Sequence, residues 1–337
     1  MSDTPSSARR QLLRCGSGAL AAFTLAPAVA WSLDDGRTAL TDALVKQTAL
    51  PRSQVAAAIA QARFHDSIIK RITTPYESRP YSSYRPLFVQ PKLVAQGAAY
   101  MAQHQAIFAE AEQRYHLQPE VITAILGMET HYGRHRGSDR VLDSLFTLAT
   151  GFPRRAAFFR RELGEFLLMC QEEGRDVTKV LGSYAGAFGT TQFIPSSYRA
   201  YAVDGDGDGR RDVWDSPKDI IFSVGNYFHS YHWDDTRPVA HWLSQSLLQH
   251  EAIKGSAAGA KLRWQPLAAL RSVVGELPLI WRDDDRVALI TLQESAGRRP
   301  LLIHHNFYVI TRWNRSHNYA MAATELAAAL GSRLCAV

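Results

Sequence analysis

The sequence lacks the short motifs that mark several common enzyme classes, and it lacks a long uninterrupted apolar segment. No G-x-S-x-G, P-loop, Rossmann fingerprint or Cys-x-x-Cys occurs in the 337 residues, so these familiar hydrolase, nucleotide-binding and redox motifs are absent. The apolar run near the N-terminus is well short of the roughly 20 residues needed to span a bilayer. No later segment is apolar enough to do so, and we therefore expect no stable membrane span.

Cysteine is also scarce, since the chain has only Cys15, Cys170 and Cys335. Cys15 lies in the N-terminal segment that is discussed below as an export signal. An oxidising compartment would permit Cys170 and Cys335 to pair. Cys170 also fits the apolar face of a helix that carries Phe159 and Leu163, where a thiol behaves as a small hydrophobic group. The pattern favours burial of Cys170 and leaves the disulfide open as the alternative.

The overall composition is that of a globular protein with a moderate basic bias. Hydrophobic residues make up 46% of the chain and charged residues 21%, which is enough for one large domain or two modest ones. The 38 Lys and Arg residues exceed the 32 Asp and Glu residues, giving a formal net charge of +6. This bias suits an anionic polymer or surface, with nucleic acid and anionic cell-wall glycan as candidates.

The N-terminus has the pattern of a cleaved export signal over residues 1–30. Three arginines precede the small apolar run GALAAFTLAPAVA, which ends in an A-x-A cleavage pattern at Ala28 to Ala30. The neighbouring Arg9 and Arg10 also approximate a twin-arginine signal, so that route and ordinary secretion both stay open. We expect a mature periplasmic protein. A secreted chain with scattered basic residues rarely meets nucleic acid, so we expect no nucleic-acid partner.

Helical periodicity and chain-breaking residues divide the rest of the chain. Residues 31–110 are expected to form a helical part. Within it, residues 72–92 are expected to form an extended strap, because four prolines interrupt the helical periodicity there. Residues 111–233 are expected to form a helical body. The composition changes after that point, and RVALITLQES and LLIHHNFYVITRW, starting at residues 286 and 301, predict strands. We expect a small β-rich subdomain over 234–304 and a helical return to the core over 305–337.

An acidic, glycine-rich stretch, DGDGDGRRDVWD at residues 204–215, predicts a calcium site. It matches the start of an EF-hand loop, in which positions 1, 3, 5 and 7 supply oxygen ligands to the hard cation. So many aspartates in one loop would repel one another unless a cation neutralised them. Position 12 of the loop holds an aspartate instead of the usual bidentate glutamate, so a later carboxylate is a second candidate for that ligand. The candidate ligands are Asp204, Asp206, Asp208, the Arg210 carbonyl, and either Asp215 or Asp219.

Glu129 occupies a position that helix physics disfavours. The stretch PEVITAILGME carries apolar residues at helical spacing, and the stripe through Ile122 and Ile125 continues to Glu129. A carboxyl group on the buried face, in the last turn of a helix that Gly133 would end, should have a raised pKa, because desolvation and the helix dipole both oppose its charged form. A protonated glutamic acid near neutral pH is what a glycosidic oxygen needs as a general acid. The alternative is a buried ion pair with Arg134 or Arg136.

Five phrases of the sequence occur in an order typical of one enzyme family. They are METHYGRHRG, RVLDSLFTLATGFPRRAAFFRREL, GSYAGAFGTTQFIPSSYRAYAVDGDGDG, SVGNYF and FYVITRWNRSHNYAMA. In these phrases, which fall within residues 80–330, the chain resembles the lytic transglycosylase B family, glycoside hydrolase family 103, whose members cut bacterial peptidoglycan. The resemblance implies a mainly α (α+β) architecture: a lysozyme-like helical core at 111–233, a helical N-terminal part and a small β domain.

The resemblance also implies roles for residues at the family's motif positions. The family's catalytic acid corresponds to Glu129, and its structural calcium ion would be bound by the loop described above, where Asp219 is the better match to the distal carboxylate and Asp215 competes with it. The glycan-binding groups would be Ser183, Gln192, Tyr227 and Asn314. The apolar walls of the groove would be formed by Phe158, Trp313 and Tyr319. Their other readings are helix caps for Ser183 and Gln192, and core packing for Tyr227 and the aromatic residues.

The implied reaction is cleavage of the β-1,4 bond between N-acetylmuramic acid and N-acetylglucosamine without water, the chemistry of a carbon–oxygen lyase acting on polysaccharide. Glu129 would protonate the leaving oxygen. As a carboxylate it would then take a proton from the muramoyl C6 hydroxyl, which closes on C1 to form a 1,6-anhydro end. The expected partners of a monomeric enzyme are the glycan strands of peptidoglycan and, beyond the substrate, cell-wall synthesis proteins.

Two other functions stay open at this point. A lysozyme-type hydrolase would use the same Glu129 with water as the acceptor. A non-catalytic, calcium-stabilised wall-binding protein would use the same fold without chemistry. The products released from purified glycan strands distinguish all three.

Overall fold

The computed structural model describes residues 33–73, 79–254, 262–332 and 334. The predicted export signal and Cys335 lie outside these residues. The described chain is mainly helical. Its α-helices are α1 (Leu33–Thr48), α2 (Arg52–Gln61), α3 (Asp66–Ile72), α4 (Tyr81–Tyr84), α5 (Pro91–Gln103), α6 (Gln105–Tyr115), α7 (Pro119–Thr130), α8 (Val141–Gly151), α9 (Ala156–Glu172), α10 (Pro195–Tyr201), α11 (Pro217–Ser230), α12 (Glu251–Lys254), α13 (Arg271–Val274), α14 (His305–Trp313) and α15 (His317–Ala329).

The strands form two small antiparallel sheets. Strand order is β1-β2 in the first sheet and β3-β6-β5-β4 in the second. The strand bounds are β1 (Asp139–Arg140), β2 (Leu181–Gly182), β3 (Ala240–Trp242), β4 (Gln265–Pro266), β5 (Arg286–Glu294) and β6 (Gly297–His304). Helices thus dominate and the sheets are few and antiparallel, which confirms the mainly α (α+β) fold class predicted from the sequence.

Helix α7 lies at the centre of the helical body. Pro119 stands in its first turn, where a missing N–H costs nothing, and every residue from Val121 to Met128 is buried. It packs against α5, α6, α11 and α15. A helix that is apolar all round belongs inside a protein, so the surroundings of its last residues are built by several elements that are distant in sequence.

The four-stranded sheet is buried on both faces. Alternate residues of a strand point to opposite sides. Ala288, Ile290 and Leu292 of β5 join the main core, whereas Val287 and Leu289 join a smaller apolar cluster on the other face. The predicted β-rich segment therefore shares its inner core with the helical body.

Two local predictions were wrong. The segment predicted as an extended strap over 72–92 is helical where it is described after residue 78: it contains α4, a 3-10 turn at Arg85–Leu87 and the start of α5. Its prolines begin these turns, because Pro80 precedes α4 and Pro91 is the first residue of α5. The stretch from residue 301 to 313 is not one strand, since β6 ends at His304 and α14 follows at once. The His304 side chain accepts a hydrogen bond from the N–H of Asn306, which caps the new helix.

Two further sequence predictions concern Cys170 and the membrane. Cys170 is buried on α9, and burial raises the pKa of its thiol to about 12, the behaviour of a small core residue. Its alternative partner, Cys335, lies outside the described residues. Among the helices of the described chain, we find none with the length and apolarity that a membrane crossing requires.

Candidate active site

Glu129 lies in the last turn of α7, at a helix end with an unusual backbone. His131, Tyr132 and Gly133 have φ values of 51°, 60° and 84°. Such left-handed conformations are costly outside glycine and are retained where the surroundings impose them. The helix ends at Thr130 with His131 as its cap, and Tyr132 donates its N–H to the Leu126 carbonyl. Glu129 is half-buried and lies directly before this sharp turn.

Two aromatic side chains from the C-terminal helices hold the Glu129 carboxylate. Trp313 donates from Nε1 to Oε1 at 2.9 Å, and Tyr319 donates from Oη to the same oxygen at 2.6 Å. Burial, together with the charge of Glu129, raises the pKa of Tyr319 far above its ordinary value, so its hydroxyl remains a donor at any working pH. These hydrogen bonds favour the carboxylate, whereas half-burial favours the neutral acid.

Trp313 is held in turn by an aromatic cluster. Its ring lies 5.1 Å from Phe193, 4.7 Å from Tyr227 and 5.9 Å from Phe228, measured between centroids. Tyr227 is buried, with 4% of its surface exposed, and it meets Trp313 edge-on at 70°. Edge-to-face pairs of this kind are favourable and directional, so they fix the indole whose N–H reaches Glu129.

Two buried threonines fasten the end of α7 to a neighbouring loop. Thr130 donates its hydroxyl to the Thr190 carbonyl at 3.0 Å and accepts the Gly133 N–H at 2.9 Å. Thr190 in turn donates its own N–H to the Val213 carbonyl at 2.8 Å and its hydroxyl to the Trp214 carbonyl at 3.1 Å. The residue next to Glu129 is thereby linked to residues 213 and 214, which lie in the acidic loop.

Gln192 sits in the same loop with a strained backbone, at φ 50°. Its side-chain amide donates to the Arg136 carbonyl at 3.1 Å and to the Gly189 carbonyl at 2.9 Å. It thus braces the turn after α7 rather than capping a helix. A strained polar residue beside a candidate site is a common feature of functional loops.

The remaining predicted glycan contacts have partners of their own. Ser183 accepts the Ala187 N–H at 3.1 Å, and its loop is tied to that of Gln192 through the Phe188–Phe193 bridge. Asn314 directly follows Trp313 and accepts the Ser316 N–H at 3.0 Å. Phe158 is half-buried near the start of α9, with the Arg155 guanidinium 4.3 Å from its ring centroid. The described contacts join Glu129 directly to Trp313 and Tyr319, while those of Ser183, Asn314 and Phe158 are with other residues.

The arginines considered as ion-pair partners of Glu129 have other surroundings. Arg136 pairs with Asp215 at 2.9 Å. Arg134 is exposed and lines a groove with Lys92, Tyr100 and Tyr132. Trp313 and Tyr319 both donate hydrogen bonds to the Glu129 carboxylate.

The acidic loop brings Asp204, Asp206 and Asp219 together, with ligand oxygens within 4.8 Å of one another. Asp219 is buried and accepts backbone N–H groups from Gly205 at 2.8 Å and Asp212 at 2.6 Å. Burial raises the pKa of Asp219, as does the charge of Asp206, against the effect of these N–H groups. A close group of three carboxylates, of which only Asp219 is buried, offers all-oxygen donors that fit a hard divalent cation such as calcium.

The two candidates for the last ligand position lie apart. Asp219 is part of the close acidic group, whereas the side chain of Asp215 is 75% exposed and pairs with Arg136. Asp208 accepts the Arg210 N–H at 2.8 Å in the exposed part of the loop. The arrangement therefore favours Asp219 as the carboxylate that completes the site.

We expect Tyr319→Phe to lower kcat without unfolding the protein. The variant loses the hydroxyl that donates to Glu129 but keeps the buried ring. A hydrogen bond to a charged group contributes about 1.5–3 kcal/mol, which is about tenfold to hundredfold in rate. Tyr231→Phe is the control, since it removes a hydroxyl that accepts from Tyr201 in the neighbouring cluster. Steady-state kinetics measure both, and equal rates for Tyr319→Phe and wild type would contradict this role.

Thr130 and Thr190 are the residues that sequence reasoning missed. Both are buried, and their roles depend on hydrogen bonds to main-chain carbonyls that lie far away in the chain. The adjacency of Thr130 to Glu129 is the only signal that the sequence carried, and a threonine in a last helical turn is common without any function.

Comparison with known proteins gives matches over most of the chain. A family model described as "Transglycosylase SLT domain" matches residues 34–328. The chain is 35% identical over 300 residues to membrane-bound lytic murein transglycosylase B of Escherichia coli (strain K12), covering 86% of this chain and 81% of that protein.

Solved structures are similar over the same extent. The soluble lytic transglycosylase SltB1 from Pseudomonas aeruginosa has a TM-score of 0.78 at 35% identity, covering 88% of this chain and 98% of that one. The Escherichia coli lytic transglycosylase Slt35 in complex with calcium has a TM-score of 0.75 at 34% identity, covering 87% of this chain and 92% of that one.

Proposed function

The chain belongs to the SLT-domain transglycosylase family and is a lytic transglycosylase of peptidoglycan, and on this premise we propose that Glu129 carries its chemistry. The resemblance stated from the sequence is thereby confirmed. The observation that carries the proposal is the setting of Glu129: a half-buried carboxylate at a constrained helix end, with one oxygen held by Trp313 and Tyr319.

In the first step Glu129 acts as a general acid. Because Oε1 already accepts two hydrogen bonds, the proton of the neutral acid belongs on Oε2, from which it passes to the glycosidic oxygen. The bond between that oxygen and C1 of N-acetylmuramic acid breaks, and the N-acetylglucosamine end leaves as an alcohol. Trp313 and Tyr319 stabilise the carboxylate that this step creates.

In the second step the same carboxylate acts as a base. It takes the proton from the C6 hydroxyl of the muramoyl residue, and O6 bonds to C1 to give the 1,6-anhydro end. The proton returns to Glu129, so the acid is restored and no water is consumed. A hydroxyl held next to the reacting carbon has an effective concentration on the order of 10⁵ M or more, which removes the need for a second carboxylate to activate water.

The other buried carboxylates support a one-carboxylate mechanism. Within the described residues each of them has structural partners: Glu162 accepts both the N–H and the hydroxyl of Ser196, and Asp143 accepts the Arg63 N–H and pairs with Arg140. The others are Asp219 on α11 next to the acidic loop, Asp285 beside Arg237, and Glu325 beside Arg85 and Trp242. A buried general base for water would have to come from a group already engaged in this way.

Substrate binding falls to the residues around Glu129. We assign Ser183, Gln192 and Asn314 to polar contacts with the sugars. Phe158 and Trp313 form apolar walls, and the buried Tyr227 acts by holding Trp313 in place. Stacking of apolar ring faces with a few placed polar groups is how such sites orient ligands.

Calcium and export complete the proposal. A structural calcium ion would be bound by Asp204, Asp206, Asp208, the Arg210 carbonyl and Asp219, and it would neutralise the negative charge of the loop. The related Slt35 structure is a complex with calcium. The export pattern of residues 1–30 supports a periplasmic location, where peptidoglycan is accessible.

The test of this function is the end group of the products. Purified sacculi digested by the enzyme should release muropeptides that are one water lighter than hydrolytic products, because their muramoyl ends are 1,6-anhydro. Mass spectrometry separates the two directly. Reducing muramic acid ends would identify a lysozyme-type hydrolase, and unchanged sacculi would identify a wall-binding protein.

A further inference from the structure

A second groove, apart from the Glu129 side of α7, runs along the exposed face of α5. Its volume is about 550 Å³. Helix α5 forms its floor, and the turn after α7 forms one wall. The residues that shape it are Lys92, Gln96, Tyr100, Gln103, Tyr132 and Arg134. None of the functions assigned above uses these side chains.

The groove has a fixed aromatic wall. Tyr132 donates its hydroxyl to the Leu93 carbonyl at 3.1 Å and stacks on Tyr100 with centroids 5.4 Å apart. Room for this ring exists because Gly97 and Gly127 have no side chain: a Cβ at either position would lie 2.5 Å or 2.6 Å from the Tyr132 hydroxyl oxygen. Burial raises the pKa of Tyr100 to about 12, so the wall stays neutral.

The groove lies on the other side of the helix end from the catalytic carboxylate. Tyr132 packs against Gly127, and Glu129 follows two residues later on the same helix. Two residues correspond to about 200° of rotation in an α-helix of 3.6 residues per turn. A ligand in the groove would therefore contact the back of the turn that carries Glu129.

One end of the groove is strongly basic. Lys92 and Arg134 are exposed, and within the part of the chain that the structure describes neither forms an ion pair. Burial lowers the pKa of the adjacent His131, and the charges of His135, Arg134 and Lys92 lower it further. Both cations therefore lie close enough to His131 to disfavour its charged form. The described lining contains no Asp or Glu, so an anionic group from outside is the natural counter-charge.

We propose that this basic tyrosine groove binds a carboxylate-bearing stem peptide of peptidoglycan, at a site separate from the one where the glycan is cut. Lys92 and Arg134 would bind the peptide carboxylates. Gln96 and Gln103 offer amide groups to the peptide backbone, and Ala95 and Ala99 leave space between them. The distance from Lys92 to Gln103 along the helix is about 16 Å, which is room for about five extended residues at roughly 3.3 Å each.

The inference rests on the proposed function, because stem peptides are present only if the substrate is peptidoglycan. It goes beyond that function, since it adds a contact that would recruit the enzyme to peptide-bearing regions of the wall. A peptide that holds the back of the catalytic turn would increase productive encounters with the glycan and leave the chemical step unchanged.

The first test is binding of a synthetic tetrapeptide stem without sugar, measured by titration calorimetry. Lys92→Ala/Arg134→Ala should bind it about tenfold more weakly than wild type, which is about 1.4 kcal/mol. The control is Lys46→Ala/Lys179→Ala, which removes the same charge from exposed positions outside the groove and should bind as wild type does. Equal affinity of both double variants for the tetrapeptide would overturn the proposal. Tighter binding of a wall phosphate polymer or of anionic lipid vesicles than of the tetrapeptide would also overturn it.

The second test compares two substrates. On intact sacculi the groove variant should lose about tenfold in kcat/KM through KM. On glycan strands stripped of peptides by an amidase it should match wild type. Equal losses on both substrates would show a structural defect and overturn the proposal. Anhydro ends released from stripped glycan by the wild type report on the proposed function separately, so failure of one is distinguishable from failure of the other.

Discussion

Glu129→Gln is expected to lower the rate of peptidoglycan cleavage by about a thousandfold. A positioned general acid or base contributes about 10²–10⁴ in rate, and here one group serves both steps. The glutamine cannot deliver a proton to the glycosidic oxygen. Its carbonyl oxygen can still accept the hydrogen bonds from Trp313 and Tyr319, so the fold and the binding of glycan should persist.

The measurement is release of soluble muropeptides from sacculi, with sacculus binding measured by sedimentation. Glu120→Gln is the matched control, because Glu120 lies in the first turn of the same helix, about 13 Å along its axis from Glu129. It should retain wild-type activity. A Glu129→Gln enzyme within tenfold of wild type would show that another group supplies the proton.

The second large effect is expected from the acidic loop. Calcium at a hundredfold excess over its Kd should stabilise the native state by about 2.7 kcal/mol, and removing it with a chelator should lower Tm by about 4 °C in a chain of this length. Asp219→Asn should abolish this calcium-dependent difference, because Asp219 is the buried member of the close acidic group. Scanning calorimetry with and without calcium measures the difference within each variant.

Asp215→Asn is the matched control for this experiment. Asp215 is exposed and pairs with Arg136, so its replacement should leave the calcium-dependent rise in Tm in place. The opposite pattern, with the response lost in Asp215→Asn and kept in Asp219→Asn, would assign the last ligand position to Asp215.

Loss of calcium should also reduce the activity of the folded enzyme. The Asp219 carboxylate accepts the Asp212 N–H at 2.6 Å, and residues 213 and 214 hold Thr190, which accepts the Thr130 hydroxyl next to Glu129. Loosening the loop therefore loosens the end of α7. Wild-type kcat measured below the lowered Tm, with and without chelator, reports this coupling.

Local patterns in the sequence were enough for the features that depend on neighbouring residues. The helix that ends near Glu129, the spacing of aspartates in the acidic loop and the strand at β5 all follow from short-range periodicity or turn chemistry. The N-terminal and C-terminal limits of the regular elements were less accurate, because prolines that begin helices look the same in a sequence as prolines that break them.

The partners of Glu129 could not be derived from pattern alone. Trp313 and Tyr319 are 184 and 190 residues away in the chain, and no periodicity links them to α7. Trp313 was predicted to end a strand, since the run before it is rich in β-branched and aromatic residues. In the structure a capped helix begins at His305, and its last residue, Trp313, directs its indole at the carboxylate.

The family resemblance identified Trp313 and Tyr319 as site residues, which periodicity could not do. It did not show which contacts their side chains make. Tyr227 illustrates the difference. The resemblance implies a glycan contact, and the structure shows a buried ring that packs edge-on against Trp313. Its effect on the sugar would therefore pass through the indole.

The most direct test of the central claim, that Glu129 completes the reaction with the substrate's own hydroxyl, is digestion of sacculi in heavy-oxygen water. The mechanism takes O6 from the muramoyl residue and consumes no water. The new muramoyl ends should therefore be anhydro and carry no heavy oxygen, and these ends should fall with activity in Glu129→Gln. Heavy oxygen at C1 of the products would show that water attacks that carbon, and would contradict the account.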